Sequence, residues 1–204
     1  KMIDIGDFIG VEGEVYQTQT GEVTVRAEKI TLLSKTLRPL PEKFHGITDT
    51  EIKYRQRYLD LITNEDSRKI FLTRSKVVSF IRRYLEDNGF IEVETPILQT
   101  SVSGASAKPF FTHHNALDIT CNLRIATECH LKQCIGAGID RVFELGKDFR
   151  NEGMDPSHLQ EFTQVEWYAS YWNFEDNIKF FQTMLVKLMK ECLGTTKITY
   201  QGQE

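Results

Sequence analysis

The sequence predicts an α+β fold in which helices pack on an antiparallel sheet. Segments with alternating apolar and polar residues occur in pairs joined by turns or loops, and segments with apolar residues at helical spacing lie between them. The chain has 204 residues, of which 40% are hydrophobic and 26% charged, an ordinary globular composition. Its net charge of −4 excludes a generally basic surface, so nucleic acid contacts would require a local basic patch.

The first 33 residues predict a β-hairpin. Phe8–Gln17 is expected to form one strand and residues 22–33 the other, with a turn at residues 19–21. Two strands alone are only marginally stable in water, so we expect further strands to accompany them and the chain to start within a domain. Residues 34–50 contain Pro39, Pro41 and Gly46 and are interpreted as a linker.

Helical spacing predicts four helices farther along the chain. They cover residues 51–62, the region of residues 70–87, residues 126–136 and residues 174–193. Asn88-Gly89 is a typical C-terminal stop for the second of them, and Gly194 for the last. Asn173 is expected to cap the last helix at its N-terminus.

Three further strands are predicted after residue 89. Residues 90–95 form the first, which Pro96 ends because proline cannot donate to a ladder. Arg141–Phe149 and residues 161–170 form the others, joined by a long loop. Residues 100–109 are small and polar and are interpreted as a loop.

One face of this predicted hairpin collects polar and aromatic side chains. Residues two apart in a strand share a face, and the residues that this rule places together are Arg150, Glu152, Phe162, Gln164, Glu166 and Tyr168. A face with both charge signs and flat rings suits a ligand with the same features, yet a solvent-facing set of cross-strand salt bridges would have the same pattern. The pattern alone leaves both interpretations open.

Several other chemistries have little support in the sequence. Phosphate-loop and dinucleotide-binding glycine motifs are absent. The four cysteines form no Cys-x-x-Cys pair, so they are interpreted as structural thiols in a reducing, cytoplasmic setting. His113 and His114 would point apart in a strand, which makes the pair a poor metal site.

Two segments resemble conserved motifs of class II aminoacyl-tRNA synthetases. Residues 148–152, Asp-Phe-Arg-Asn-Glu, followed by residues 158–162, His-Leu-Gln-Glu-Phe, resemble motif 2. Residues 89–96, Gly-Phe-Ile-Glu-Val-Glu-Thr-Pro, resemble motif 1, whose proline lies at the dimer interface in that family. The flanking residues 37–43, 54–61, 105–117 and 123–126 are similar to those of lysyl-tRNA synthetases, so the resemblance covers nearly the whole chain.

The resemblance implies an ATP site around Arg150. Arg150 would be the catalytic residue that contacts both the lysine carboxylate and the α-phosphate of ATP. Glu152 would bind the adenine amino group, Phe162 would stack on adenine, and His158 would reach the outer phosphates. The family uses Mg²⁺ to bridge the ATP phosphates, and its metal ligands have no counterpart in these 204 residues.

The resemblance also implies a lysine pocket. Gly104 and Glu128 would hold the α-amino group, and Glu166 and Tyr168 would hold the ε-ammonium group. The implied reaction is the ATP-dependent formation of lysyl-adenylate and its transfer to tRNA. Residues Ser103, Thr127, Cys129 and His130 and the loop before His158 depart from the usual family pattern.

The family organisation implies three regions. Residues 1–33 correspond to the end of an OB-type anticodon-binding barrel, 34–66 to a linker with a connecting helix, and 67–204 to the N-terminal part of a catalytic domain. Motif 3, a strand–helix segment near the family's C-terminus that carries Gly-x-Gly-x-x-Arg, is not expected among these residues, which predicts a partial active site. A homodimer formed through the Pro96 region is expected, with lysine, ATP and tRNA as partners and no contact with DNA or membranes.

Three alternatives remain open at this stage. The chain could be a non-catalytic dimerising or ligand-binding module. It could be related to a paralog that attaches lysine to a protein, although the predicted strands at residues 8–33 argue against that enzyme, which lacks an anticodon-binding domain. An aspartyl or asparaginyl relative would explain Glu166 poorly, because that carboxylate suits a cationic substrate.

Overall fold

The computed structural model describes residues 3–38, 40 and 47–203. It divides into two compact units between Leu72 and Thr73. The described strands are β1 (Phe8–Gln17), β2 (Val23–Ser34), β3 (Ile91–Glu92), β4 (Leu98–Gln99), β5 (Phe111–His114), β6 (Ile119–Leu123), β7 (Arg141–Phe149) and β8 (Glu161–Ala169). The described helices are α1 (Thr50–Arg55), α2 (Arg57–Thr63), α3 (Glu65–Asp87), α4 (Glu128–Gly136) and α5 (Phe174–Leu188).

The first unit contains the predicted hairpin. β1 and β2 pair antiparallel from Phe8↔Ser34 to Gln17↔Val23, with a β-bulge next to Gly13. A Cβ atom at Gly13 would collide with the backbone carbonyl of Arg26, so only glycine fits this bulge. The hairpin is confirmed, whereas the OB-type barrel remains a prediction. Pro39, Pro41 and Gly46 of the predicted linker lie outside the described residues.

The sequence predicts a single helix at residues 51–62, and this is wrong in one respect. The structure has two helices there, α1 and α2. The chain breaks at Gln56, whose backbone angles of φ −118° and ψ 56° are not helical. Asp49 caps α1 by accepting hydrogen bonds from the N–H groups of Glu51 and Ile52. Asp60 of α2 is buried and lies 2.9 Å from Nη1 of Arg57.

The core of the second unit lies where α3 and α5 cover one face of a sheet. Leu85 of α3, Phe90 and Phe143 are buried together, and Trp167 of β8 and Phe180 of α5 pack against them. α3 ends as the sequence predicts, since Gly89 adopts a left-handed φ of +81° after its last turn. The core therefore supports β7 and β8 from the face opposite the polar one.

The sheets of the second unit differ from the prediction. β7 and β8 pair antiparallel as predicted, but β3 pairs with β7 in parallel, so this sheet is mixed. The predicted strand at residues 90–95 is shorter, because the ladder continues only to the bond from Val93 N–H to the Phe143 carbonyl. A second sheet has the order β4-β6-β5.

The last predicted helix ends in a different geometry. A capping box between Asn173 and Asp176 starts α5, which confirms the predicted N-cap. After Leu188 the chain forms a π-helical turn, Met189–Leu193, which Gly194 ends with φ +75°. Among the described residues, no helix has the length and apolar character needed to cross a lipid bilayer.

Candidate functional site

The β7–β8 hairpin brings polar side chains of both strands onto one face. Glu144 lies opposite Glu166, and Asp148 lies opposite Phe162. Opposite residues of an antiparallel pair point to the same side, so these four side chains share the face that carries Gln164 and Tyr168. The predicted inner face is also correct, since Val165, Trp167 and Ala169 pack against the core.

A cleft of about 260 Å³ lies at the end of this hairpin. It is lined by Arg150, Glu152, Gly153, Ser157, His158, Leu159 and Phe162. The guanidinium carbon of Arg150 lies 5.2 Å from the centre of the Phe162 ring, a cation–π distance. Arg150 Nε also donates to the Ile125 carbonyl at 3.4 Å, so the arginine is held from two directions.

The loop that closes the cleft is held by its own polar groups. Asp155 accepts hydrogen bonds from the N–H groups of Ser157 (2.7 Å) and His158 (2.9 Å), and its Oδ2 lies 2.7 Å from His158 Nδ1. The Ser157 N–H and then the His158 ring lower the pKa of the Asp155 carboxyl. Glu152 lies across the cleft, where its carboxylate accepts from Lys108 N–H at 3.3 Å.

Glu166 is surrounded by neutral donors. Its Oε1 accepts from the Tyr168 hydroxyl at 2.7 Å, and its Oε2 accepts from Thr127 Oγ1 at 2.8 Å and Gln164 Nε2 at 3.2 Å. Burial, and then the bond to Glu166, raise the pKa of the Tyr168 hydroxyl, which therefore stays protonated as a donor. The described residues form no ion pair with Glu166, so its charge is solvated by dipoles and remains available to a cation.

The start of α4 forms the wall next to Glu166. Thr127 is the N-cap residue, yet its hydroxyl makes no cap bond because it donates to Glu166 instead. Gly104 packs against this turn with φ +86°, and a Cβ atom there would lie 3.1 Å from Ala126 Cβ and 3.3 Å from Glu128 Cβ. Glycine thus lets the loop approach the Glu128 side chain closely.

A buried ionic network lies on the polar face against β7. Arg124 is 1% exposed and forms ion pairs with Glu144 and, at 3.0 Å from Nε, with Asp148. It also donates to the Lys147 carbonyl at 2.9 Å and the Thr95 carbonyl at 3.1 Å. A Cβ atom at Gly146 would collide with the Arg124 guanidinium, so the glycine provides the space that this network needs.

Asp148 is the least satisfied member of the network. Although Arg124 Nε lies 3.0 Å away, its N–H points to the Lys147 carbonyl, and neither Asp148 oxygen accepts a hydrogen bond from the residues that the structure describes. Burial raises the pKa of the Asp148 carboxyl; Arg124 opposes this, and the nearby Glu166 and Glu144 add to it. Ionised Asp148 therefore costs the folded state free energy at neutral pH.

We expect the Asp148→Asn substitution to stabilise the chain by roughly 1–2 kcal/mol at pH 7. The folded-state pKa lies above the unfolded one, so the cost of ionisation is present above the folded pKa and disappears as pH falls below about 4. Denaturant unfolding curves recorded at several pH values should therefore show that the stability gained by Asp148→Asn becomes smaller as the pH is lowered. Glu161→Gln, on the exposed end of β8, is the control that should change little. If Asp148→Asn were less stable than the wild type at pH 7, the Asp148 carboxylate would be stabilising the buried Arg124, and the prediction would be wrong.

The structure brings the predicted site residues together in two groups. Arg150, Glu152, His158 and Phe162 line the cleft, while Glu166 and Tyr168 are hydrogen-bonded to each other beside the start of α4. Gly104 and Glu128 are in contact at that same start. Their roles toward ATP and lysine remain predictions.

Sequence reasoning missed the supporting residues. Arg124, Glu144 and Asp148 received no role, although alternation along β7 would have placed the two acids on the polar face. Lys132 and the hydroxyl of Thr127 were missed as well. The i,i+4 spacing within α4 could have identified the pair of Lys132 with Glu128, but no spacing rule identifies the bond from Thr127 to Glu166 of β8.

The described residues contain no group of three or more His, Cys, Asp or Glu side chains that could hold a metal ion. Glu144 and Asp148 are paired with Arg124, and Glu166 accepts hydrogen bonds from neutral donors. The described residues of this chain therefore supply no cluster of acids that fits a magnesium ion.

Residues 49–203 match the family model of class II tRNA synthetases (D, K and N). The matched region contains the polar face, the cleft and the buried ionic network. The chain belongs to this class II tRNA synthetase family.

The curated relatives of this chain include several lysine–tRNA ligases. The chain is 54% identical to that of Lactococcus lactis subsp. cremoris (strain MG1363), over 100% of this chain and 41% of the relative. It is likewise 54% identical to that of Streptococcus suis (strain 05ZYH33), over 204 residues and 41% of that protein. It is 54% identical to that of Aquifex aeolicus (strain VF5), over 97% of this chain and 33% of the relative. The chain spans about two fifths of the first two relatives.

Proposed function

We propose that this chain carries the ATP- and lysine-binding residues of a lysine–tRNA ligase, which activates lysine with ATP and transfers it to tRNA. One observation carries the lysine assignment. Glu166 is a partly buried carboxylate that receives three hydrogen bonds from neutral groups and has no cationic partner among the described residues. Such a group favours a ligand that brings its own ammonium.

The amino acid is placed by its two ends. Glu166 and Tyr168 hold the ε-ammonium, and Gly104 and Glu128 hold the α-amino group. An apolar side chain of similar length would leave Glu166 buried without a counter-charge, so the site discriminates strongly against it. The 54% identity to the Lactococcus lactis protein, named a lysine–tRNA ligase, supports this choice of amino acid.

The nucleotide occupies the cleft at the end of the hairpin. Phe162 offers a flat surface for adenine, and base–aromatic stacking contributes about 1–3 kcal/mol in nucleic acid complexes. Glu152 accepts from the adenine amino group, and His158 in the closing loop faces the outer phosphates. Arg150 lies between nucleotide and amino acid, where its planar fork binds the α-phosphate and the lysine carboxylate together.

The reaction follows from this placement. A carboxylate oxygen of lysine forms a bond to the α-phosphorus while the bond from that phosphorus to the bridging oxygen breaks, and pyrophosphate leaves with the electron pair. The carboxylate is already ionised, so no general base is needed. Arg150 brings the two anions together and offsets their repulsion, so positioning and charge neutralisation carry the rate. A tRNA hydroxyl then attacks the carbonyl carbon of lysyl-adenylate, the bond from that carbon to the phosphate oxygen breaks, and AMP leaves with the electron pair and takes up the hydroxyl proton.

Further parts of the proposal concern the surroundings of the site. The complete reaction uses tRNA as the acceptor and Mg²⁺ that is carried by ATP. A second copy of the chain contacts the Pro96 region in a homodimer. Residues 1–33 would belong to an OB-type anticodon-binding barrel, 34–66 to a linker and 67–204 to the catalytic domain. The four free cysteines support a reducing, cytoplasmic setting.

A second candidate function is ligand binding without turnover. The pattern Gly-x-Gly-x-x-Arg occurs only at residues 136–141, where Arg141 donates to the Asn88 carbonyl and lies over the Trp172 ring, so it supplies no arginine clamp for the γ-phosphate. Lysine-dependent exchange of pyrophosphate into ATP separates the candidates, because a pure binding module supports none.

The Glu166→Gln substitution tests the lysine assignment. We expect the affinity for lysine to fall roughly 10- to 100-fold, since a charge-assisted hydrogen bond is worth about 1.5–3 kcal/mol. The affinity for ATP should stay unchanged, because Glu166 does not line the cleft. Calorimetric titration of each ligand separately measures both values. Glu161→Gln, the exposed acid of the same strand, is the matched control; equal losses for lysine and ATP in Glu166→Gln would contradict the assignment.

A further inference from the structure

The two acids of the proposed lysine pocket have partners of different charge in the structure. Glu166 is held by neutral donors, whereas Glu128 already has a cation. The Nζ atom of Lys132, one turn farther along α4, lies 2.6 Å from Glu128 Oε1. The carboxylate proposed to receive the α-ammonium of the substrate is therefore occupied by an ammonium of the chain itself.

Lys132 makes more than an ordinary helix-surface pair. Its Nζ lies 5.8 Å from the centre of the Tyr168 ring, the same side chain that donates to Glu166. The bond to Glu128 raises the pKa of the Lys132 ammonium, and the field of Glu166 adds to this, so Lys132 is charged at neutral pH. An i,i+4 pair on an isolated helix explains the contact with Glu128 but neither the ring contact nor the field of Glu166.

We infer that Lys132 sets the affinity for the amino acid, because its ammonium holds Glu128 in the unliganded pocket and competes with the α-ammonium of incoming lysine. This inference rests on the proposed function. The Lys132 ammonium carries the same charge as the α-ammonium of the ligand. Incoming lysine must therefore either displace Lys132 from Glu128 or bind next to it in spite of their repulsion. Its side chain is 58% exposed, so it can swing into solvent when the ligand arrives.

The expected size of the effect follows from Coulomb's law. Two like charges a few ångströms apart at a half-exposed site repel by roughly 1 kcal/mol, which corresponds to about a three- to tenfold change in affinity. Salt screens such exposed charges, so the effect should shrink at high ionic strength. A purely structural role for the Glu128–Lys132 pair would change the stability of α4 and leave the affinity for lysine as it was.

The test is calorimetric titration of lysine into the wild-type chain and the Lys132→Gln variant. We expect Lys132→Gln to bind lysine about three- to tenfold more tightly at low salt, with less difference at 1 M salt and no change for ATP. Lys147→Gln is the matched control, since Lys147 forms an ion pair of similar exposure with Glu161 on the opposite face of the sheet. It should leave the affinity for lysine unchanged.

A lysine analogue without the α-amino group separates competition at Glu128 from a general field effect. With 6-aminohexanoate, which retains the ε-ammonium, the gain from Lys132→Gln should largely disappear. An equal gain for both ligands, or no gain for lysine in a variant that folds normally, would overturn the inference while leaving the lysine site intact. If neither wild type nor variant binds lysine, the proposed function fails together with the inference.

Discussion

The Arg150→Ala variant is expected to lose lysine-dependent ATP–pyrophosphate exchange by roughly 10²- to 10⁴-fold. Two charge-assisted contacts, one to the lysine carboxylate and one to the α-phosphate, contribute about 1.5–3 kcal/mol each, and both are lost with the guanidinium. The planar fork matters as well as the charge, so Arg150→Lys should recover only a small part of the rate.

Controls for this variant separate chemistry from packing. Arg150 contacts Phe162 and the Ile125 carbonyl, so its removal costs some stability, which circular dichroism and thermal unfolding will measure. Arg74→Ala removes an arginine that donates to Thr163 on the opposite face of β8 and should keep full exchange activity. Exchange by Arg150→Ala at more than a tenth of the wild-type rate would contradict the proposed role.

The Arg124→Met variant should have the largest effect on stability, a loss of about 3–5 kcal/mol. Methionine matches the length of the arginine stem but leaves Glu144 and Asp148 buried without their counter-ion. Denaturant unfolding followed by circular dichroism measures the loss. The loss should shrink as pH falls, because both carboxylates can then be neutralised by protons.

A triple variant keeps this prediction testable if Arg124→Met does not fold. Adding Glu144→Gln and Asp148→Asn removes the buried negative charges and should recover much of the lost stability, since replacing a whole buried ion network is far less costly than breaking it. Arg82→Met, which removes a half-exposed pair with Glu92, is the control and should cost no more than about 1 kcal/mol. If Arg124→Met lost no more stability than Arg82→Met, the conclusion that Arg124 is an essential buried counter-ion would be contradicted.

Local patterns predict the hairpin of the second unit well. Strict alternation between Phe162 and Ala169 assigns each side chain of β8 to a face, and Trp167 does lie in the core. Residues with special backbone roles are equally predictable, as the capping box at Asn173 and the left-handed Gly89 demonstrate. These features depend on the nearest few residues, which is why they can be read from a single sequence.

Patterns fail where distant segments decide the outcome. The apolar stripe that helical spacing predicts along α5 correctly includes Met184, which is buried, but it also includes Ile178 and Leu185, which are 48% and 38% exposed, and it omits Phe180, which packs against the core. Spacing gives several helical faces with similar apolar content, and only the position of α3 selects among them. The parallel pairing of β3 and the π-helical turn after α5 likewise have no local signal.

The sequence by itself determined the α+β class, the hairpin and the group of charged and aromatic residues on its polar face. Only the tertiary structure decided that Arg124 is buried on that face, that Thr127 gives its hydroxyl to Glu166, and that Lys132 lies over the Tyr168 ring. Strand alternation follows from backbone geometry within one segment. These contacts depend on distances between segments that are far apart in the sequence, and those distances are set only when residues 124–136 pack against β7 and β8.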